Sequence, residues 1–95
     1  MINTLQLSKI LYPSVETASD TVNYITDYIN DNYCQNLTVD ITGLNLLDSC
    51  YVSTICSSKH FLKYPEGKIK WIVSSTATEK MCKPLNLGNC EYIAL

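Results

Sequence analysis

The chain has 95 residues, 46% hydrophobic and 17% charged, with a formal net charge of −2. That length supports one buried core, so residues 1–95 are expected to form a single domain without linkers or repeats. All seven basic residues are lysines, spread from Lys9 to Lys83, and without an arginine fork for phosphate or guanine, nucleic acid is not an expected partner.

No stretch reaches the roughly 18 apolar residues that a membrane-spanning helix requires, and the first eleven residues lack a basic start followed by an apolar run. A cytoplasmic protein with no direct membrane insertion is expected. The five cysteines, Cys34, Cys50, Cys56, Cys82 and Cys90, make no close CxxC pair and are joined by one histidine, His60. That pattern points to reduced thiols packed as small apolar groups and not to a metal site.

Along the chain, Leu5, Leu7 and Ile10 alternate loosely before Pro13 and predict a first strand over residues 4–11. From Ser14 onward Val15, Ala18, Val22, Ile25 and Ile29 recur at intervals of three and four. This is one apolar stripe of a helix running to about Asp31, with Ser14 as N-cap and Glu16 in the first turn. Residues 37–41, Leu-Thr-Val-Asp-Ile, are mostly apolar and β-branched, as in a strand covered on both faces. Asp40 inside that run needs hydrogen-bond partners or a place at the strand's end, and is expected to be structural.

After Gly43 an apolar run over residues 44–47 leads into Asp48 and Ser49, which have the chemistry of a helix start. A second helix is expected from Cys50 to about Lys63. Pro65, Glu66 and Gly67 mark a turn, and residues 68–73 read as a strand. Thr76 and Glu79 fit a capping box that opens a short helix, which Pro84 ends near Lys83. Residues 90–95 supply the last strand. Strands alternating with helices indicate an α/β domain with a mostly parallel sheet of four to five strands and helices packed against it.

No nucleophile–base pair can be assembled. His60, between Lys59 and Phe61, reads as a solvent-facing or rim histidine and not as a general base. The three glycines fall singly in loops, so no phosphate cradle is present. An enzyme is not expected, and no cofactor or metal is implied. Tyr24 and Tyr28, one turn apart, read as core edge. Cys50, close to a helix start, has the best claim to a reactive thiol, although a passive packing role fits it better. The remaining candidate is Asp48-Ser49, where a strand-like run ends and a helix begins. Ligands and partners of open α/β sheets are met at such carboxyl ends.

Residues 37–44, with the internal Asp40 and the turn at Gly43, and residues 46–49, Leu-Leu-Asp-Ser, resemble the STAS domain family, in particular the anti-sigma factor antagonists of bacteria. Downstream, Gly67, residues 69–74, the helix from Thr76 and the closing strand follow the family's order. The resemblance covers residues 37–95 well and extends more loosely to Ser14. It implies a single STAS-like domain that regulates transcription by binding proteins. Ser49 would be the phosphoacceptor, and Asp48, Ser49, Cys50 and Tyr51 the partner-binding residues. Its implied partners are an anti-sigma factor serine kinase and a phosphatase. A phosphate on Ser49 would act on the interface and leave the fold intact. Cys50 and Tyr51 stand where the family usually has a small residue and a glycine. Two alternatives from the same resemblance are a non-phosphorylated subunit of a larger assembly, such as a lipid-transport ATPase, and a small-ligand-binding STAS domain.

Overall fold

The computed structural model describes residues 10–14, 16–85 and 88–95. The first helix, α1, spans Ala18–Asp31 and buries Val22, Ile25 and Ile29 on one side, as the apolar stripe requires. It begins later than Ser14, because Thr17 is the residue that caps it. The Thr17 hydroxyl oxygen accepts from the Asp20 N–H at 3.0 Å, and its carbonyl accepts from the Thr21 N–H at 2.9 Å. Glu16 therefore precedes the helix, while Asp20 supplies the acidic charge in the first turn. At the other end the Lys63 ammonium donates to the Ile29 and Asn30 carbonyls at 2.6 and 3.1 Å. A cation placed on the last carbonyls of a helix satisfies them and opposes the negative end of its dipole.

Strand β1 covers Asn36–Asp40, helix α2 Leu46–Lys63, strand β2 Lys68–Val73, helix α3 Thr76–Cys82 and strand β3 Cys90–Ala94. A single 3-10 turn, Lys83–Leu85, follows α3. The three strands lie parallel in the order β1-β2-β3, with Val39 opposite Trp71 and Trp71 opposite Tyr92. This is an α/β unit with an all-parallel sheet of three strands among the described residues, not four to five. Of the first strand expected over residues 4–11, residues 4–9 lie outside the described residues. Leu11 makes a single parallel bridge to Val39, its N–H donating to Thr38 O and its carbonyl accepting from Asp40 N–H, both at 2.9 Å.

The expectation that residues 37–41 are covered on both faces is corrected. Leu37, Val39, Ile69, Trp71, Val73 and Tyr92 are buried, whereas Thr38, Asp40 and Ile72 on the opposite face are half-buried and Lys68, Lys70, Glu91 and Ile93 are exposed. The topology explains this. Strands taken in sequential order by crossovers of one hand step in one direction, and the connecting helices then lie on one face. Helix α2 packs on α1, on α3 and on β2, which gathers the core between the helices and the inner sheet face.

That core is partly polar. Ser49, Ser53, Ser57 and His60, at spacings of four, four and three, share the buried side of α2 with Val52 and Cys56. The Trp71 indole N–H donates to Ser57 Oγ at 2.8 Å, and the Tyr92 hydroxyl donates to Ser53 Oγ at 2.6 Å. Small residues on α2 make room for two large aromatic side chains and meet their polar tips, so the aromatic bodies are buried without orphaning a donor.

The turn between α2 and β2 is set by Gly67, whose N–H donates to Tyr64 O at 2.9 Å. A Cβ at this position would collide with the Gln35 carbonyl oxygen. That oxygen accepts from the Lys68 N–H at 3.0 Å and so joins the start of β2 to the residue before β1.

Candidate protein-docking site

The β1–α2 connection builds the site. Asp40, the last residue of β1, is half-buried, and its Oδ1 accepts from the Thr42 N–H at 2.9 Å and the Thr42 hydroxyl at 2.7 Å. Its carboxylate thereby folds the chain back at the strand's carboxyl end, the arrangement in which a polar group inside an apolar strand is tolerated. Leu44 N–H donates to Ile41 O at 3.0 Å and closes the turn.

Asn45 then caps α2, its side-chain oxygen accepting from the Asp48 N–H at 2.8 Å. The helix thus starts at Leu46, four residues before the expected Cys50, and neither Asp48 nor Ser49 is the cap. Asp48 lies in the first turn, where its carboxylate complements the positive end of the helix. Ser49 faces inward, 0% exposed, with its hydroxyl directed at Leu44 O across a long 3.4 Å. Ser49, named from sequence as a partner-binding phosphoacceptor at the strand's end, is thus buried and does not present its hydroxyl there. A start at Leu46 turns position 49 toward the core, in line with Ser53 and Ser57.

Residues on the other side of this first stretch face solvent. Leu47 is 74% exposed and Tyr51 47% exposed, one turn apart on the same side of α2. Asp48 and Cys50 between them are half-buried. Of the four residues named from sequence, Asp48, Cys50 and Tyr51 therefore border one accessible surface and Ser49 lies beneath it. Leu47 was not singled out from sequence, because it sat in a run read as the end of an apolar segment. Its place two residues after Asn45, a strong N-cap type, is the signal that identifies it as helical and outward-facing.

His60 is fully buried, not at the rim. Its Nε2 lies 2.8 Å from the Cys34 carbonyl oxygen, to which it donates, and its Nδ1 has no hydrogen-bond partner. Burial holds the imidazole below its ordinary value of 6.5, against the opposite pull of the Cys34 and Gln35 backbone carbonyls. A neutral, enclosed imidazole thus ties α2 to Cys34 in the segment before β1. Burial also raises the Cys34 thiol above its ordinary value. Burial pushes Cys56 up to about 12, and burial together with the neighbouring Cys50 pushes Cys82 up to about 12. Among the described residues no group of His, Cys, Asp and Glu side chains is arranged to hold a metal ion, and no helix is long and apolar enough to cross a membrane.

Comparison with protein-family models, with curated proteins and with solved structures finds no match to this chain.

Proposed function

We propose that the chain is a non-enzymatic, protein-docking domain of the STAS kind, with the N-terminal end of α2 as the surface that meets its partner. The exposed Leu47 and Tyr51 pair carries this reading. An aliphatic and an aromatic side chain one turn apart, bordered by the Asp48 carboxylate, form the apolar centre and polar edge that partner surfaces use. The site lies at the carboxyl end of a parallel strand, where α/β domains present their binding residues. The single histidine supports a non-catalytic role, since it is enclosed and held by a backbone carbonyl.

Within this class, burial of Ser49 favours the constitutive subunit of a larger assembly over the phosphorylation switch of an anti-sigma factor antagonist. A kinase needs the hydroxyl in extended, accessible chain, whereas Ser49 is sealed inside a helix turn. Phosphorylation there would require the first turns of α2 to open. Affinity capture from cells of the source organism, with identification of the bound protein, tests the proposal. Recovery of a membrane ATPase supports the subunit form, and recovery of a soluble serine kinase whose binding is lost on Ser49 phosphorylation restores the switch. A monodisperse protein that captures no partner in stoichiometric amount contradicts both.

A further inference from the structure

Helix α2 is the middle helix of three, packed on α1 along one side and on α3 along the other. The outward face of a surface helix ordinarily carries its charges. In α2 it does not. Leu47, Tyr51, Thr54, Ser58 and Leu62 recur at intervals of four, three, four and four, so they stand in one row along the helix. Leu47, Tyr51 and Leu62 are 74%, 47% and 80% exposed, and Thr54 and Ser58 between them are half-buried. Large side chains thus stand at both ends of the row and smaller ones in its middle. The charged residues of the helix, Asp48, Lys59 and Lys63, keep to one edge. Lys59 and Lys63 border a cleft with Thr26 and Asn30 of α1, and Asp48, three turns before Lys59, lies along the same side. Among the described residues neither the Asp48 nor the Lys59 side chain has a hydrogen-bond or ion-pair partner.

We infer that this face pairs two copies of the chain, with their α2 helices antiparallel about a twofold axis that passes between Thr54 and Ile55. Residues equally far from such an axis meet across it. Tyr51 of one copy then lies over Ser58 of the other, a large side chain over a small one, and Leu47 meets Leu62 at each end. A parallel pair would set Tyr51 against Tyr51 and Ser58 against Ser58. The antiparallel twofold also keeps the α1 edges of both helices on one side. Asp48 of one copy therefore comes level with position 61 of the other, midway between its Lys59 and Lys63. Along the helix axis each lysine is then within about 3 Å of the level of the aspartate. The apolar row leaves water while the unpartnered charges meet at the rim, which is the anatomy of a protein interface. One helix face about 27 Å long is a contact at the low end of interface sizes, so the pairing is reversible and depends on concentration. The inference goes beyond the docking reading and does not depend on it. Pairing covers the same Leu47 and Tyr51, so a partner that binds them more tightly displaces the second copy.

Sedimentation equilibrium of the purified full-length chain, from about 1 μM to about 1 mM, tests the pairing. The mass should rise from one chain toward two, with a dissociation constant on the order of 10–100 μM. Leu62→Asp, at the far end of the row from Leu47, should weaken the pairing at least about tenfold. Asp48→Lys and Lys59→Glu should each pair more weakly than the parent. An equimolar mixture of those two should pair more tightly than either alone, because each copy then supplies a charge that the other lacks. All three replaced side chains reach solvent, so the variants should fold, and thermal melts check that they do. The inference is overturned by a single-chain mass at every concentration, by pairing that Leu62→Asp leaves unchanged, or by a mixture that pairs no more tightly than its components. A chain that stays single yet captures a different protein through Leu47 and Tyr51 overturns the pairing and leaves the docking surface standing.

Discussion

The indole N–H of Trp71 on β2 donates to the hydroxyl oxygen of Ser57 on α2 at 2.8 Å, and both side chains are sealed from solvent. This bond, with its neighbour between Tyr92 and Ser53, fixes how α2 lies on the sheet and therefore where its N-terminal end points. Ser57→Ala leaves the indole N–H buried without an acceptor, which costs about 1–3 kcal/mol. The melting temperature should fall by about 4–8 °C for each kcal/mol in a domain of this size. Ser57→Thr keeps the hydroxyl and isolates the cost of the extra methyl from the cost of the lost bond. A Ser57→Ala protein that melts with the parent would show that the indole finds another acceptor.

His60 makes stability depend on pH. Its folded-state pKa is below the ordinary 6.5, so between the two values the unfolded chain binds the proton and the folded chain does not. The contribution is therefore fully present above about 6.5 and is lost as pH falls from there through the folded-state value. Because the chain has one histidine, its ring protons give an unambiguous NMR titration, which should shift midpoint below that of a model histidine peptide. Urea midpoints at pH 7.5 and 5.5 should differ more in the parent than in His60→Gln, where the carboxylates titrate equally in both. A His60 midpoint at or above the peptide value contradicts the enclosed geometry.

Ser49→Asp should destabilise by several kcal/mol, because it places a carboxylate in a space 0% exposed where the present hydroxyl meets an acceptor, Leu44 O. Ser49→Ala should cost about 1 kcal/mol or less, given the long hydrogen bond it removes. Thermal melts of both variants decide the point. Equal stability of the parent and Ser49→Asp proteins would mean that this turn opens readily, which is what a kinase would require.

Asp40→Ala should lower stability by about 1 kcal/mol through loss of both Thr42 hydrogen bonds. Asp40→Asn retains an oxygen in the same place and should lie close to the parent. If Asp40→Ala were neutral in a melt, the turn would be held by the Leu44 to Ile41 backbone bond alone.

Much of the architecture was legible in the sequence, because it follows from periodicity. The apolar stripe Val22, Ile25, Ile29 located α1, and Pro65 to Gly67 located β2 to the residue. Helix starts were displaced because capping is a competition among neighbours. Thr17, Asn45 and Ser75 each sit close to another cap-forming residue, and only the path of the chain selects among them. The displaced start of α2 had the largest effect on the site, since a helix begun at Leu46 turns Ser49 inward and Leu47 outward. Burial of His60 and pairing of Ser57 with Trp71 were not legible, because polar residues on an inner helix face are recognisable only once the facing donors are placed. The one-sided sheet depends on strand order, which local pattern does not carry.

Comparative affinity capture decides whether Leu47 and Tyr51 form the partner-facing surface. Tagged parent protein, Leu47→Asp, Tyr51→Ala and a control on the open sheet face, Lys70→Ala, are each exposed to the same extract of the source organism, and the melting temperature of each is measured. Both substituted side chains at the site are exposed, so all four proteins should melt within about 1–2 °C of one another, in keeping with the small effects of surface changes. The predicted result is a defined partner recovered stoichiometrically with the parent and Lys70→Ala, and weakened at least about tenfold by Leu47→Asp or Tyr51→Ala, as for residues at the centre of an interface. Capture that is undiminished by either site substitution, or that is lost only with Lys70→Ala, would move the interface away from the start of α2.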